Sequence, residues 1–292
     1  MPTYTLSNDT LSVTLSSLGA ELRSVRRGDC EYLWQGTPPF WAGRAPNLFP
    51  ICGRLFEKRY TFAGHEYTME LHGFARFEEY EAQPDADGLG VRFCLAANDR
   101  TRAQYPFEFT FEVAYRLDGE TVHCAIRVAN AGTGPLPFAY GAHPGFNVPL
   151  GGDGAFGDWF LEFGADCSPD RFILSPSCLQ TGRRTAFPLA PGNRIPLRHD
   201  LFDDDAIFLS RCAASVTLAS ARSPRAVTMR YPDMPYLGIW HTPHTEAPFV
   251  CIEPWCGLPA YDGEVEDFSS RPDMFRLAPG AEKRLAYDIE FR

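Results

Sequence analysis

A single carboxylate, Glu253, lies within an otherwise apolar and aromatic stretch near the C-terminal end of the chain. The stretch comprises Tyr236-Leu-Gly-Ile-Trp240 and, after a short insert, Phe249-Val-Cys-Ile-Glu253-Pro-Trp-Cys-Gly257. Burying an ionised carboxylate without a partner costs several kcal/mol. We therefore expect Glu253 to be paired, to ligate a metal or to take part in acid/base chemistry.

Two arginines, Arg44 and Arg54, flank an apolar run bounded by prolines, Arg44-Ala-Pro-Asn-Leu-Phe-Pro-Ile-Cys-Gly-Arg54. A guanidinium can bind a carboxylate, a phosphate or several hydroxyl groups through its planar set of donors. An arginine on its own more often caps a loop or pairs with a surface acid. The spacing alone leaves both interpretations open.

Two histidines lie beside glycine or proline in aromatic surroundings. They belong to the segments His72-Gly-Phe-Ala-Arg76 and Phe138-Ala-Tyr-Gly-Ala-His143-Pro-Gly-Phe-Asn147. Loops of this kind can bring an imidazole close to a small ligand. Taken singly, each histidine is more often a satisfied residue of the core. The presence of Glu253 in the same chain favours the functional interpretation.

The composition excludes several classes of protein. The net charge of -10 disfavours nucleic acids and anionic membranes as partners. The nine cysteines show no C-x-x-C spacing, which argues against a disulfide framework or a zinc ribbon. Only Lys58 and Lys283 are available for lysine chemistry. With neither a signal peptide nor an apolar stretch long enough to span a bilayer, the chain is expected to be cytoplasmic.

The hydrophobic periodicity is that of strands. Apolar residues alternate from Phe107 to Tyr115, Asp118-Gly119 supplies a turn, and alternation resumes from Val122 to Val128. With 25 Gly, 25 Pro and no long amphipathic stretch, the chain is predicted to be an all-β protein with an antiparallel sheet and few, short helices. Without a convincing linker, residues 1–292 are expected to form one domain; the stretches 151–154 and 175–193 are predicted to be surface loops.

These residues resemble the aldose 1-epimerases, also called galactose mutarotases, and in particular a shorter branch of that family. The resemblance covers essentially the whole chain. It rests on nine ordered segments: Leu18–Leu22, Leu33–Gly36, Arg44–Arg54, His72–Arg76, His143–Asn147, Asp205–Ile207, Tyr236–Trp240, Cys251–Trp255 and Leu277–Gly280. It implies a large β-sandwich that holds a sugar in a cleft, with neither a cofactor nor a metal.

The resemblance also implies roles for individual residues. Glu253 matches the family's general base, His143 its general acid, and His72 a second histidine near the sugar ring oxygen. For this chemistry we expect an ionised Glu253 beside a protonated His143. Residues expected to contact the sugar are Arg54, Arg44, Arg76, Asp205 (or a neighbouring aspartate), Asn147, Trp240 and Trp255, with Trp41 as a further aromatic candidate.

Alternatives remain open at this point. Arg44, Arg54 and Arg76 together are compatible with a hexose 6-phosphate as well as with a neutral sugar. Non-haem iron sites use two histidines and a carboxylate, a set that is present here as His72, His143 and Glu253. The segment His241-Thr-Pro-His244 adds a further pair of histidines, although the usual H-x-H or H-x-D spacing of such sites is absent. A non-catalytic carbohydrate-binding sandwich is the third alternative. The chain is expected to act as a monomer or a homodimer.

Overall fold

The computed structural model describes residues 1–292 and consists mainly of short strands. In chain order they are β1 (Thr3–Ser7), β2 (Ser12–Ser16), β3 (Glu21–Arg27), β4 (Cys30–Glu31), β5 (Asn47–Leu48), β6 (Arg59–Phe62), β7 (His65–Thr68), β8 (Glu81–Pro84), β9 (Gly90–Ala96), β10 (Phe109–Asp118), β11 (Thr121–Asn130), β12 (Leu136–Phe138), β13 (Gly141–Ala142), β14 (Gly145–Asn147), β15 (Trp159–Phe163), β16 (Asp170–Leu174), β17 (Gln180–Ala186), β18 (Arg194–Pro196), β19 (Ile207–Ser210), β20 (Ser215–Ser220), β21 (Val227–Arg230), β22 (Tyr236–Trp240), β23 (Phe249–Trp255), β24 (Phe275–Leu277) and β25 (Glu282–Phe291).

Helices are few and short. The one α-helix, α1, spans Asp99–Gln104. Single turns of 3-10 helix occupy Phe56–Lys58, Ala75–Phe77, Leu150–Gly152, Phe156–Asp158 and His199–Phe202. None of these helices has the length and apolar character needed to cross a bilayer.

Two large antiparallel sheets form the body of the molecule. The nine-stranded sheet has the order β18-β15-β20-β21-β25-β11-β10-β9-β8. The eight-stranded sheet has the order β17-β16-β19-β22-β23-β13-β5, with β14 also paired to β23. A four-stranded sheet, β1 to β4, and the pairs β6/β7 and β12/β24 complete the strands.

The two large sheets pack face to face. Phe49, which follows β5, stacks on Phe111 of β10 with ring centroids 4.4 Å apart. Phe146 of β14 likewise contacts Phe291 of β25 at 6.4 Å. All four rings belong to one continuous cluster of 69 buried apolar residues. The structure therefore confirms the prediction of a large antiparallel β-sandwich.

The hairpin predicted from alternating residues is formed by β10 and β11. Its register pairs Asp118 with Thr121, so the connection is a two-residue turn that begins at Gly119. Gly119 has a φ of 54°, a conformation that glycine adopts without steric cost. The alternating apolar side chains of both strands point into the sandwich, as predicted.

The prediction of a surface loop over residues 175–193 is wrong in part. Gln180–Ala186 form β17, an edge strand that pairs with β16. Its residues after Gln180 are exposed, so the strand lacks the alternation by which half-buried strands are identified. The other predicted loop, 151–154, contains no strand.

Strand β23 is buried on both of its faces. Val250 and Ile252 point into the large core. Because successive side chains of a strand point to opposite faces, Cys251 and Glu253 lie together on the other face. There Cys251 packs beside Phe249 and Trp34 in a separate small cluster. Glu253 thus lies on the outer face of the eight-stranded sheet.

Candidate active site

A cavity of about 270 Å³ opens over that face of the eight-stranded sheet. Its volume is close to the lower end of the usual range for small-molecule pockets, about 300 Å³. The lining includes every predicted site residue except Arg44 and Asn147, namely Glu253, His143, His72, Arg54, Arg76, Asp205, Trp240 and Trp255. The fold therefore brings together residues that are up to 200 positions apart in sequence, roughly the span from Arg54 to Glu253.

Glu253 lies in the middle of β23 and is only 1% exposed. Its Oε2 is 3.3 Å from Nε2 of His143, while its Oε1 has no hydrogen-bond partner within the chain. Gly238 of β22 is the residue paired with Glu253, and a Cβ at that glycine would lie 3.4 Å from Oε2. One carboxylate oxygen is thus held against His143, and the other is free to accept a proton or a hydrogen bond.

His143 lies between β13 and β14 with its ring held by aromatic neighbours. The ring stacks on Trp41, with centroids 4.9 Å apart and an angle of 27° between the planes. Trp240 meets it edge-on at 5.9 Å, and His72 does so at 5.4 Å. These contacts fix the ring plane and hold Nε2 toward Glu253.

The hydrogen bond to His72 defines the tautomer of that ring. The backbone N–H of Gly53 donates to Nδ1 of His72 over 3.0 Å, and the backbone N–H of His72 donates to the Gly53 carbonyl oxygen over 2.9 Å. Burial, together with the nearby His143 and Arg76, lowers the pKa of His72 well below 6.5. A neutral imidazole that accepts at Nδ1 carries its proton at Nε2. His72 is therefore a neutral hydrogen-bond donor.

Burial favours the neutral form of both the Glu253 and the His143 side chains. Burial raises the pKa of Glu253 well above 4.5, and the charge of Asp205 adds to that shift. Burial lowers the pKa of His143 to about 3. This differs from the ionised Glu253 and protonated His143 expected from the sequence, because desolvation penalises both charges. The neutral pair and the charged pair hold the same number of titratable protons. In each, the two side chains have one such proton between them.

Three non-glycine residues that line the cavity have positive φ angles: His72 at 66°, Cys178 at 58° and Asp205 at 69°. None of them is a glycine, so each backbone conformation is strained. Asp205 accepts a hydrogen bond from Cys178 Sγ at 2.8 Å and another from the backbone N–H of Ala206 at 2.8 Å. Such strain clusters at binding and catalytic sites, where surrounding contacts maintain it.

Gly73, which follows His72, provides a test of the contacts that maintain the backbone conformation of His72. Gly73 has a φ of 72°, and a Cβ there would overlap the carbonyl oxygen of Phe49. We expect Gly73→Ala to lower the free energy of unfolding by roughly 2–4 kcal/mol and to displace His72. Chemical denaturation measures the first effect. Gly64→Ala is the matched control, since Gly64 has a φ of 79° in open space and is expected to cost only about 1 kcal/mol. Equal losses in both variants would contradict the steric argument.

Two arginines line the cavity. Arg76 is half-buried and donates from Nη2 to the carbonyl oxygen of Leu71 at 2.9 Å, while its buried Nε has no partner. Burial lowers its pKa from 12.5, a direction that still leaves arginine charged. Arg54 is exposed at the rim. Both guanidinium groups therefore have donors available for a ligand.

The structure distinguishes among the three consecutive aspartates. Asp205 lines the cavity, whereas Asp203 and Asp204 line an adjoining groove of about 590 Å³. The groove and the cavity share Leu174, Cys178, Asp205 and Ala206 in their linings. The aspartate nearest the acid/base pair is thus Asp205.

The aromatic wall is larger than the sequence prediction. Trp41 lines the cavity with Trp240 and Trp255, and its ring also meets Trp240 edge-on at 5.7 Å. Sequence reasoning missed Cys178 and Phe208, which complete the wall beside Asp205. Cys178 precedes β17, in the region predicted to be a loop, and no pattern in the sequence links it to Asp205.

Two predicted residues lie elsewhere. Asn147 donates from Nδ2 to the carbonyl oxygens of Glu31 at 2.8 Å and Leu33 at 3.1 Å, so its amide ties β14 to the segment after β4. Arg44 is half-buried outside the lining, and its backbone N–H donates to Glu21 Oε1 at 3.2 Å. The structure gives neither side chain a position in the cavity.

One grouping of metal-ligand types lies at this site, and it differs from the iron alternative. The ligand atoms of His143, Cys251 and Glu253 all lie within 4.8 Å of one another. His72 is not a member of this grouping, and its Nδ1 accepts the hydrogen bond from Gly53. The grouping therefore contains one histidine, whereas the iron alternative requires two.

Comparisons with known proteins agree with this fold. Residues 2–284 match the family model described as aldose 1-epimerase. The plasmid-encoded protein LacX of Lactococcus lactis is 33% identical over 98% of both chains. A galactose mutarotase related enzyme from Lactobacillus acidophilus is 32% identical, with a TM-score of 0.94 over 100% of this chain and 97% of its own.

A galactose mutarotase-like protein from Lactobacillus casei is similar to the same degree. It is 34% identical to this chain, with a TM-score of 0.92 over 100% of both chains. The family model spans well over half of the sequence. The LacX protein and the Lactobacillus casei protein align with 98% and 100% of this chain. The chain belongs to the aldose 1-epimerase family.

Proposed function

We propose that this chain interconverts the α and β anomers of an aldose by opening and reclosing the sugar ring. The observation that carries the proposal is the 3.3 Å pairing of Glu253 Oε2 with His143 Nε2 in a cavity lined by aromatic rings. Anomer exchange requires one group that accepts a proton and one that donates a proton. This pair provides both within a single buried site.

In the proposed reaction, Glu253 removes the proton from the C1 hydroxyl while His143 protonates the ring oxygen. The bond between C1 and the ring oxygen breaks, a carbonyl forms at C1, and rotation about the C1–C2 bond exposes its other face. Reversal of the two proton transfers then closes the ring as the other anomer. His72 supports this step as a neutral Nε2–H donor near the ring oxygen, where charge develops.

The proton count of the pair suits this cycle. Ring opening converts an ionised Glu253 and a protonated His143 into a neutral glutamic acid and a neutral imidazole. Burial favours that neutral state. The charged state needed at the start is favoured by hydrogen bonds from a bound sugar to the carboxylate, whereas the nearby charge of Arg76 opposes the imidazolium. Because Glu253 and His143 carry out both proton transfers, the proposed reaction requires no cofactor.

The sugar itself is expected to bind through hydroxyl contacts and ring stacking. Asp205 and Arg54 offer an acceptor and donors to hydroxyl groups. Trp240 and Trp255 offer apolar faces to the C–H groups of the sugar ring. Trp255 is 1% exposed and its Nε1 has no partner within the chain, so this donor is also available to a ligand.

A hexose 6-phosphate is the second candidate substrate. It is favoured by the two cavity arginines, each of which has unoccupied donors. Asp205 within the cavity and the aspartates of the adjoining groove favour a neutral sugar instead, because they would repel a phosphate. The choice between the two substrates depends on the net charge around the phosphate position. An excess of arginine charge there favours the hexose 6-phosphate, and an excess of aspartate charge favours the neutral sugar.

Polarimetry of freshly dissolved α-glucose and α-galactose, beside a coupled assay with α-glucose 6-phosphate, tests the proposal and identifies the substrate. We expect the approach to anomeric equilibrium to accelerate in proportion to protein concentration. If the protein binds these sugars without accelerating any of them, it is a carbohydrate-binding sandwich and the proposed activity is wrong.

The dependence of kcat/KM on pH follows from the shared proton. The pair holds one proton between the lowered pKa of His143, about 3, and the raised pKa of Glu253, above 4.5. We therefore expect activity to persist as the pH falls through 6.5 and to be lost only nearer 3, when the pair takes up a second proton. Rates measured from pH 3 to 9, with circular dichroism to detect unfolding, provide the test. An acid limb centred near 6.5, the ordinary pKa of histidine, would contradict it.

A further inference from the structure

Cys251 has no role in the proposed reaction, yet its side chain lies beside the acid/base pair. It is two residues before Glu253 on β23, on the same face of the strand, and it is fully buried. Its backbone partner is Gly145, two residues after His143, and a Cβ at that glycine would lie 3.4 Å from the Cys251 sulfur. The sheet register thus places the thiol, the imidazole and the carboxylate together.

The three donor atoms are close enough to converge on one metal ion with small side-chain movements. All lie within 4.8 Å of one another, and all three residues are buried. Glu253 is 1% exposed, and its Oε1 has no partner. A sulfur, a nitrogen and an oxygen donor form a three-residue set of the kind that binds Zn²⁺ with a fourth position open. Two of the three residues, His143 and Glu253, line the cavity.

We propose that Cys251, His143 and Glu253 form an inhibitory Zn²⁺ site within the candidate active site. Zinc binds the sulfur of Cys251 as a thiolate, a ring nitrogen of His143 and a carboxylate oxygen of Glu253. The thiol proton and any proton held by the pair leave to solvent, since zinc ligands bind in their deprotonated forms. No oxidation or reduction is involved.

The consequence is loss of acid/base function while the metal is bound. The lone pairs that would accept or transfer protons are then occupied by zinc, and the metal fills the region facing the sugar. Inhibition should therefore be competitive with the sugar and reversible with a chelator. The inhibition, though not the metal binding, rests on the proposed function.

Cobalt(II) provides a readout of the site that is independent of activity. We expect titration of the full chain with Co²⁺ to give a sulfur-to-cobalt charge-transfer band and the visible bands of tetrahedral cobalt, both abolished by added Zn²⁺. Cys251→Ser should lose the charge-transfer band. Loss of a residue that hydrogen-bonds to a metal ligand typically weakens metal binding about 10- to 100-fold. Loss of the ligand Cys251 itself should weaken Zn²⁺ inhibition by at least this factor.

Two further variants keep the test decisive. Cys124→Ser, which changes another buried strand cysteine, should leave the cobalt spectrum and the zinc sensitivity unchanged. His143→Gln should weaken cobalt binding even if Cys251→Ser fails to fold. A cobalt spectrum without a thiolate band, or equal zinc sensitivity in wild type and Cys251→Ser, would overturn the proposed site. A normal thiolate band in a chain without epimerase activity would instead overturn only the proposed function.

Discussion

Replacing Glu253 with glutamine is expected to reduce turnover by on the order of a hundred- to ten-thousand-fold. Glutamine preserves the shape of the side chain and its capacity for hydrogen bonding, but its amide cannot accept the proton of the C1 hydroxyl. Since burial favours the neutral carboxyl group at this position, the neutral amide should be accommodated without loss of the fold. Polarimetry measures turnover, and calorimetry measures sugar binding, which should be largely retained.

The chain offers a matched control for this substitution. Glu266 is another buried glutamate, at 7% exposure, and burial raises its pKa to about 7. It pairs with Arg271 over 3.4 Å and does not line the cavity. Glu266→Gln should therefore retain near-normal turnover. Near-normal turnover in Glu253→Gln as well would remove Glu253 from the role of base.

The second large effect is expected for His143→Asn, again on the order of a hundred- to ten-thousand-fold in turnover. Asparagine can still form a hydrogen bond but cannot deliver a proton to the ring oxygen. It also lacks the ring that stacks on Trp41, so a small loss of stability is expected in addition. Turnover and thermal unfolding should be measured on the same preparation.

His241→Asn is the corresponding control. His241 is fully buried, its pKa is lowered by burial to about 4, and it lies outside the cavity lining. Its Nε2 is hydrogen-bonded with His199 Nδ1 over 3.1 Å. This variant should lose stability while retaining turnover per folded molecule. A turnover defect as large in His241→Asn as in His143→Asn would indicate that the loss at His143 is structural.

The double variant of Glu253 and His143 provides a test of their coupling. If the two side chains exchange one proton as a unit, removing the second should add little to the loss caused by the first. Two independent contributors would instead give losses that multiply. Comparison of the four rate constants, wild type, both single variants and the double variant, distinguishes these cases.

The strands were predictable where burial differs between their faces. β10 and β11 show this difference as alternation, and Glu253 was conspicuous because β23 is buried on both faces. β17 was missed because almost all of its side chains are exposed, which leaves no pattern in the sequence. Periodicity records burial, so it fails where a strand is held by backbone pairing alone.

The residues of the site were predictable by type and only partly by position. Glu253, His143 and His72 were identified because charged or imidazole groups are unusual in apolar surroundings. Asn147 has the polarity of a ligand, but its amide satisfies the carbonyl oxygens of Glu31 and Leu33. The contact between Cys178 and Asp205 joins distant loops, and only the folded chain reveals it. The same holds for the protonation of the pair, which depends on burial.

Magnetisation transfer between the two anomeric protons measures the proposed interconversion itself. At equilibrium in solution, saturation of the α-anomer H1 resonance reports the rate at which individual sugar molecules become β, without a coupling enzyme. We expect the exchange rate to rise in proportion to wild-type protein and to fall nearly to the buffer rate with Glu253→Gln. Exchange with wild-type protein equal to that in buffer, for glucose, galactose and glucose 6-phosphate alike, would contradict this expectation.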